Sequence, residues 1–148
     1  MHSLTSCLVH CVWSTKNRES YLTSDLRGRL WPYLGGIAKQ NQMKTLAIGG
    51  ASDHVHVLLS LPATLSIAKA MQLLKGNSSK WIRETFPKLR SFAWQEGYSA
   101  FSIGMSGVDA TVAYIRNQAE QHRTKSFREE FVAILRKHGF AYEESMLA

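Results

Sequence analysis

Short apolar runs and longer amphipathic stretches alternate along this chain. Residues 6–14 (SCLVHCVWS) are apolar and rich in Val and Trp, which predicts a buried strand. The polar stretch TKNRESYLTSD follows, and Ser24 or Asp25 is placed to cap a helix through LRGRLWPYLGGIAKQNQ. Pro32 and the Gly35-Gly36 pair predict irregularity within that helix. MKTLAIGG reads as a second strand stopped by glycines, and HVHVLLSL, after the turn ASD, as a third ended by Pro62. Ser66 opens a helical pattern, IAKAMQLLKGNSSKWIRETF, that stops before Pro87, with Ile67, Met71, Leu74, Trp81 and Ile82 as its buried stripe. One or two strands are expected in KLRSFAWQEGYSAFSIG, the better being YSAFSIG. Gly104 and Gly107 flank a short link into a helix from about Val108 to His122. A last helix spans roughly Ser126 to His138, stopped by Gly139.

The first six elements run strand, helix, strand, strand, helix, strand. That order matches the ferredoxin-like split β-α-β-β-α-β unit, an α+β fold with an antiparallel sheet and helices on one face. Two further helices remain to build on the other face. The 148 residues suit one domain, 1–148, and 45% apolar residues suffice for a core. No repeat, low-complexity tract or linker divides them.

Composition narrows the function classes. No apolar run approaches the roughly 20 residues of a membrane-spanning helix, and the N-terminus lacks signal-peptide features, so a cytoplasmic protein is expected. Cys7 and Cys11 are too few for a disulfide framework and read as small buried thiols on one strand face. The 18 Lys and Arg against 11 Asp and Glu give a formal charge of +7, spread over the whole chain. Any anion-binding surface must therefore be assembled by folding, and nucleic acid is the commonest partner for such a surface. A basic but merely solvated surface is the competing explanation.

His54 and His56 carry the sharper signal. At i and i+2 of a strand both imidazoles point to one face, about 7 Å apart at the backbone. Val55, Val57 and Leu59 then point into the core. Two neutral imidazoles on a rigid strand are half of a divalent-metal site, although ordinary core or surface histidines show the same spacing. In TVAYIRNQAEQHR, Tyr114 and Gln118 are i and i+4 on one helix face, with His122 a turn further on. A Gln amide oxygen is a legitimate ligand for Mg²⁺ or Mn²⁺, and Tyr114 would lie beside that ion. An amphipathic helix whose tyrosine packs at the core edge is the alternative. His10, in the first strand, falls near the histidine pair and on the face opposite Cys7 and Cys11.

Taken together, these motifs resemble the HUH single-strand DNA nucleases. The chain is similar to the single-tyrosine transposases of the smallest bacterial insertion sequences and to their relatives associated with repetitive extragenic palindromes. HCVWSTKNR, SDHVHVLLSLP, LKGNSSKWIRETFP, WQEGYSAFSIG, VAYIRNQAEQHR and FREEFVAILRKHGFAYEE carry the resemblance over nearly the whole length. It implies metal ligands at His54, His56 and Gln118, a nucleophile at Tyr114, and Mg²⁺ or Mn²⁺ as cofactor. It also implies cleavage and joining of hairpin-bearing single-stranded DNA through a 5′-phosphotyrosine, by a homodimer in which the glycine-flanked link lets the tyrosine helix exchange. A plain turn is the alternative for that link. Many relatives carry paired histidines where this chain has Gln121-His122, which puts in question the role of the missing histidine but not that of the core four residues; His10 and His122 are auxiliary candidates.

DNA contacts are expected from Lys16 and Arg18 after the first strand, from Lys75, Ser79, Lys80 and Arg83 on the second long helix, and from Arg116 and Arg123 flanking the nucleophile. Two other functions compete: a domesticated relative that processes chromosomal palindromes, and a nucleic-acid-binding module without chemistry. Matching terminal hairpins around several genomic copies would separate the first. Metal-independent hairpin binding without cleavage would mark the second.

Overall fold

The computed structural model describes residues 2–118, 122 and 125–141. Its elements are β1 (Leu8–Ser14), α1 (Ser24–Gln40), β2 (Lys44–Gly50), β3 (His54–Ser60), α2 (Ile67–Thr85), β4 (Ser99–Ser102), α3 (Val108–Arg116) and α4 (Phe127–Lys137). The strands form an antiparallel sheet of order β2-β3-β1-β4, the split β-α-β-β-α-β arrangement expected. Among the described residues, no helix is long and apolar enough to cross a membrane.

Period two divides the sheet's side chains between two layers. Val9, Cys11 and Trp13 of β1, with Val55, Val57 and Leu59 of β3, join one core cluster with Leu26, Leu30 and Leu34 of α1 and Met71, Leu74 and Ile82 of α2. The opposite face carries α3 over β2 and β3, around Ala47, Leu58 and Ile115, and α4 against Val12 and Phe101.

Helix starts follow side-chain capping. Thr23, rather than Ser24 or Asp25, caps α1 by accepting from the Leu26 amide at 3.2 Å. Ser66 and Ser126 cap α2 and α4 in the same way, accepting from Lys69 and Glu129. The irregularity expected at Pro32 and Gly35-Gly36 does not end α1, which runs unbroken to Gln40. Five buried residues, Leu26, Leu30, Leu34, Ile37 and Ala38, hold its apolar stripe on the sheet and override the weak propensities.

The interval before α3 yields one strand, β4, plus an isolated bridge between Thr15 and Trp94. Gly104 to Gly107 form a compact turn, closed by a hydrogen bond from Gly107 N–H to Gly104 O at 2.9 Å. The tyrosine helix thereby docks on the sheet of its own chain. Its expected continuation toward His122 falls partly outside the described residues. Gly139, at φ 78°, follows α4 as the left-handed stop expected. Cys11 is buried, which pushes its thiol up to about 12, whereas Cys7 lies just before β1 and is exposed, contrary to expectation.

Candidate metal and nucleophile site

The site face of the sheet is built by β1 and β3. Register sets Val12 opposite His56 and Ser14 opposite His54, so His10, His54 and His56 share one face. Both β3 histidines have no solvent exposure. Their alternation with Val55 and Val57, which anchor the other face, fixes where the rings point.

Each imidazole is oriented through its Nδ1. Asp53, in the turn before β3, accepts from His54 Nδ1–H at 2.7 Å. His56 Nδ1 lies 2.9 Å from His10 Nε2. Burial, then the neighbouring His56, lowers His10 from 6.5 to about 3 and keeps it neutral. Burial also lowers His56, against the opposing pull of Glu130. A ring partner at Nδ1 leaves Nε2 free to face the centre, the arrangement of metal-ligating histidines.

α3 brings the other groups. Ile115 fills the gap over Ala47 and Leu58, and its backbone carbonyl comes so close to β2 that a Cβ at Gly49 would lie 2.2 Å from the Ile115 oxygen. This contact seats the helix so that Tyr114 faces His56, ring centroids 5.6 Å apart. Gln118, 2% exposed, directs Oε1 to within 3.0 Å of His54 Nε2 and 3.2 Å of His122 Nε2, while its amide donates to Tyr114 O.

The fourth contributor comes from α4. Glu130 is 3% exposed. Its Oε1 accepts from the Tyr114 hydroxyl and lies 2.8 Å from His56 Nε2, and its Oε2 lies 2.5 Å from His122 Nε2. Burial would raise this carboxyl, but His56, the Tyr114 hydroxyl and His54 hold it down at about 2. Burial and the Glu130 carboxylate together push the Tyr114 phenol well above its ordinary value.

Acceptors therefore converge. His54 Nδ1 is taken by Asp53, and its Nε2 faces the Gln118 oxygen at 3.0 Å. Among the described residues, His56 Nε2 and Glu130 Oε2 are buried with no partner in hydrogen-bond geometry. Buried acceptors left opposite one another call for a cation. His54, His122 and Glu130 present ligand atoms within 4.8 Å of one another, so a divalent ion fits the donor set.

Residues 3–118 match the family model described as "Transposase IS200 like". The chain belongs to the IS200-like transposases. It is 27% identical over 128 residues to the transposase for insertion sequence element IS200 of Salmonella typhimurium, covering 82% of this chain and 83% of that one. A crystal structure of a transposase-like protein from Deinococcus radiodurans R1 superposes with TM-score 0.67 at 26% identity, over 80% of this chain and 95% of that one. The REP-associated tyrosine transposase, solved bound to a REP hairpin, shares the fold, with TM-score 0.62 at 15% identity, over 82% of this chain and 72% of that one.

In this IS200-like transposase, His54, His56, Tyr114, Gln118, His10 and His122 all meet at one place. The expected DNA contacts do not all join them. Arg18, in the turn after β1 with Lys16, lies over the Phe127 ring at 5.7 Å, and Phe127 stacks on His54. Lys75 donates to the carbonyls of Gln95 and Gly97, and Arg83 to that of Phe92. These two residues, with Ser79 and Lys80, belong to α2 on the opposite layer, where Ser79 bonds within its own helix. Arg116 is exposed on α3, and Arg123 lies outside the described residues. A groove of about 610 Å³ runs between β4 and α4, lined by Arg18, Tyr98, Phe101, Phe127 and Phe140.

Sequence reasoning missed Glu130. A signal was present: Phe127, Phe131, Ile134 and Leu135 mark the buried stripe of α4, and Glu130 falls within it at the i+3 position.

Proposed function

We propose that this protein cleaves and rejoins hairpin-bearing single-stranded DNA in a divalent-metal-dependent reaction, with Tyr114 as nucleophile and His54, His56 and Gln118 as metal ligands. One observation carries the proposal. The Tyr114 hydroxyl, two buried imidazoles and a buried amide oxygen meet on one face of the sheet, in a chain of the IS200-like family.

Asp53 and His10 hold the two imidazoles with Nε2 toward the centre, and Gln118 adds its oxygen from the next helix turn. These residues would hold a divalent ion, Mg²⁺ or Mn²⁺, which when bound would supply Lewis-acid polarisation of the scissile phosphate and offset the charge developing on it. Tyr114 Oη forms a bond to phosphorus as the bond to the 3′-oxygen breaks. The products are a 5′-phosphotyrosine and a free 3′-OH. The phenol proton must leave during attack, because burial and Glu130 hold the free phenol protonated. Attack by a different 3′-OH on the phosphotyrosine restores the tyrosine and joins the strands, so the energy of the broken bond is conserved. A homodimer in the cytoplasm is the proposed working unit, since joining needs two DNA ends.

The test is incubation with end-labelled hairpin DNA from the sequence flanking the gene, with Mn²⁺. Wild-type protein forms an adduct stable to denaturing electrophoresis, and chelation abolishes it. Tyr114→Phe lowers adduct formation to background. An undiminished adduct in that variant removes Tyr114 as nucleophile.

A further inference from the structure

We propose that Glu130 couples the metal to the nucleophile: one carboxylate oxygen is a ligand of the ion, and the other holds the Tyr114 hydroxyl beside it. This inference rests on the metal assignment above and extends it to α4, an element outside the matched residues 3–118.

The two oxygens have different surroundings. Oε1 receives the Tyr114 hydroxyl and lies 2.8 Å from His56 Nε2, whereas Oε2 is buried with no partner in hydrogen-bond geometry among the described residues. Oε2 faces His122 Nε2 at 2.5 Å and His54 Nε2 at 3.7 Å, on the side where the imidazole lone pairs converge. A buried carboxylate persists only where paired or bound to a metal. An ion shared with His54 satisfies Oε2, the imidazoles and the Gln118 oxygen at once. A carboxylate beside imidazole and amide donors also suits a hard ion such as Mn²⁺ or Mg²⁺.

The placement of α4 fits this task. Phe127 stacks on the His54 ring, centroids 4.2 Å apart, one turn before Glu130. Phe131, Ile134 and Leu135 fix the depth of the helix against Val12 and Phe101. The last helix is thus a working part of the centre and more than a cover over the sheet.

The experiment titrates the full chain, stripped with chelator, with Mn²⁺ followed by electron paramagnetic resonance. Wild type and Tyr114→Phe bind alike. Glu130→Gln binds at least about tenfold more weakly, a loss already typical of removing an outer-shell partner. Circular dichroism melting confirms that each variant is folded. Affinity of Glu130→Gln within twofold of wild type overturns the ligand role and leaves the metal assignment standing. If His56→Ala also binds as wild type does, or wild type binds no Mn²⁺, the metal assignment falls with it. At saturating Mn²⁺, Glu130→Gln keeps an acceptor for Tyr114 and Glu130→Ala does not, so adduct formation is about tenfold slower in the alanine variant. Equal rates overturn the positioning role.

Discussion

The two faces of one sheet follow different rules. Toward α1 and α2, β1 and β3 present Val9, Cys11, Trp13, Val55, Val57 and Leu59, a surface that asks only to be covered. Toward α3 and α4 the same strands present His10, His54 and His56, which are equally buried but need partners of the right polarity. Apolar burial is non-directional, so any close-packed cover serves the first face. The second face is satisfied only when Asp53, Gln118, Tyr114 and Glu130 arrive at particular atoms. Under the proposed function the sheet separates stability from chemistry, and α3 and α4 are the elements whose position counts.

Leu58 and Leu59 test that separation most strongly. They are adjacent, fully buried, and point to opposite faces. Alanine at either costs about 2–5 kcal/mol of stability. Melting temperature accordingly falls by roughly 5–15 °C. The faces differ in function. Leu59→Ala leaves adduct formation per folded molecule near wild type, because the helix layer does not touch the site. Leu58→Ala removes the floor beneath Ile115 and slows the reaction at temperatures where the protein is still folded. Equal loss of activity in both variants, with both folded, would erase the distinction between the faces.

Gly49 probes the same seat from the other strand. An alanine Cβ would lie 2.2 Å from the Ile115 carbonyl oxygen, so α3 must move outward. Overpacking of this kind costs about 1–3 kcal/mol. Displacing the nucleophile by about 1 Å costs on the order of a hundredfold in rate. Gly49→Ala is expected to melt a few degrees lower and to form adduct about a hundredfold more slowly. Wild-type adduct kinetics in this variant would show that the α3 contact with β2 does not place Tyr114.

Much of this division was legible in the chain. Strand alternation assigned Val55, Val57 and Leu59 to one face and the histidine pair to the other, and helical periodicity joined Tyr114 to Gln118. Both rules act over a few residues. Glu130 escaped because its partners are remote: His54 and His56 lie more than 70 positions away, and Tyr114 lies 16 away. A glutamate beside the capped start of a helix also reads as solvated, as Glu129 is. Lys75 and Arg83 show a related limit of local rules. Cations on a helix read as a DNA track, yet carbonyls of the 92–97 segment take up both side chains. Pro32 and the paired glycines failed to break α1 because packing on the sheet outweighs local propensity.

The smallest expected effect concerns His10, whose face of β1 contrasts with that of Cys11 beside it. Burial and the nearby His56, His138 and Lys137 lower His10 from 6.5 to about 3, with Glu130 opposing them. The unfolded chain therefore takes up a proton below about pH 6.5 that the folded chain refuses until about pH 3. Stability is unaffected by this group above pH 6.5 and falls as pH drops through the window between those values. The slope approaches about 1.4 kcal/mol per pH unit well inside the window, and about 1 kcal/mol is lost by pH 5.5. Glu130 adds to the loss only below its ordinary value of 4.5, so it does not obscure this range. His10→Gln removes the titrating ring while keeping an acceptor for His56. Its melting temperature is therefore expected to fall about 2–4 °C less than that of wild type between pH 7.5 and pH 5.5. His56 is lowered by burial too and keeps some dependence in both proteins. Parallel curves for the two proteins would mean that His10 accepts its proton in the folded state. It could then no longer serve as the neutral acceptor that turns His56 Nε2 toward the proposed metal position.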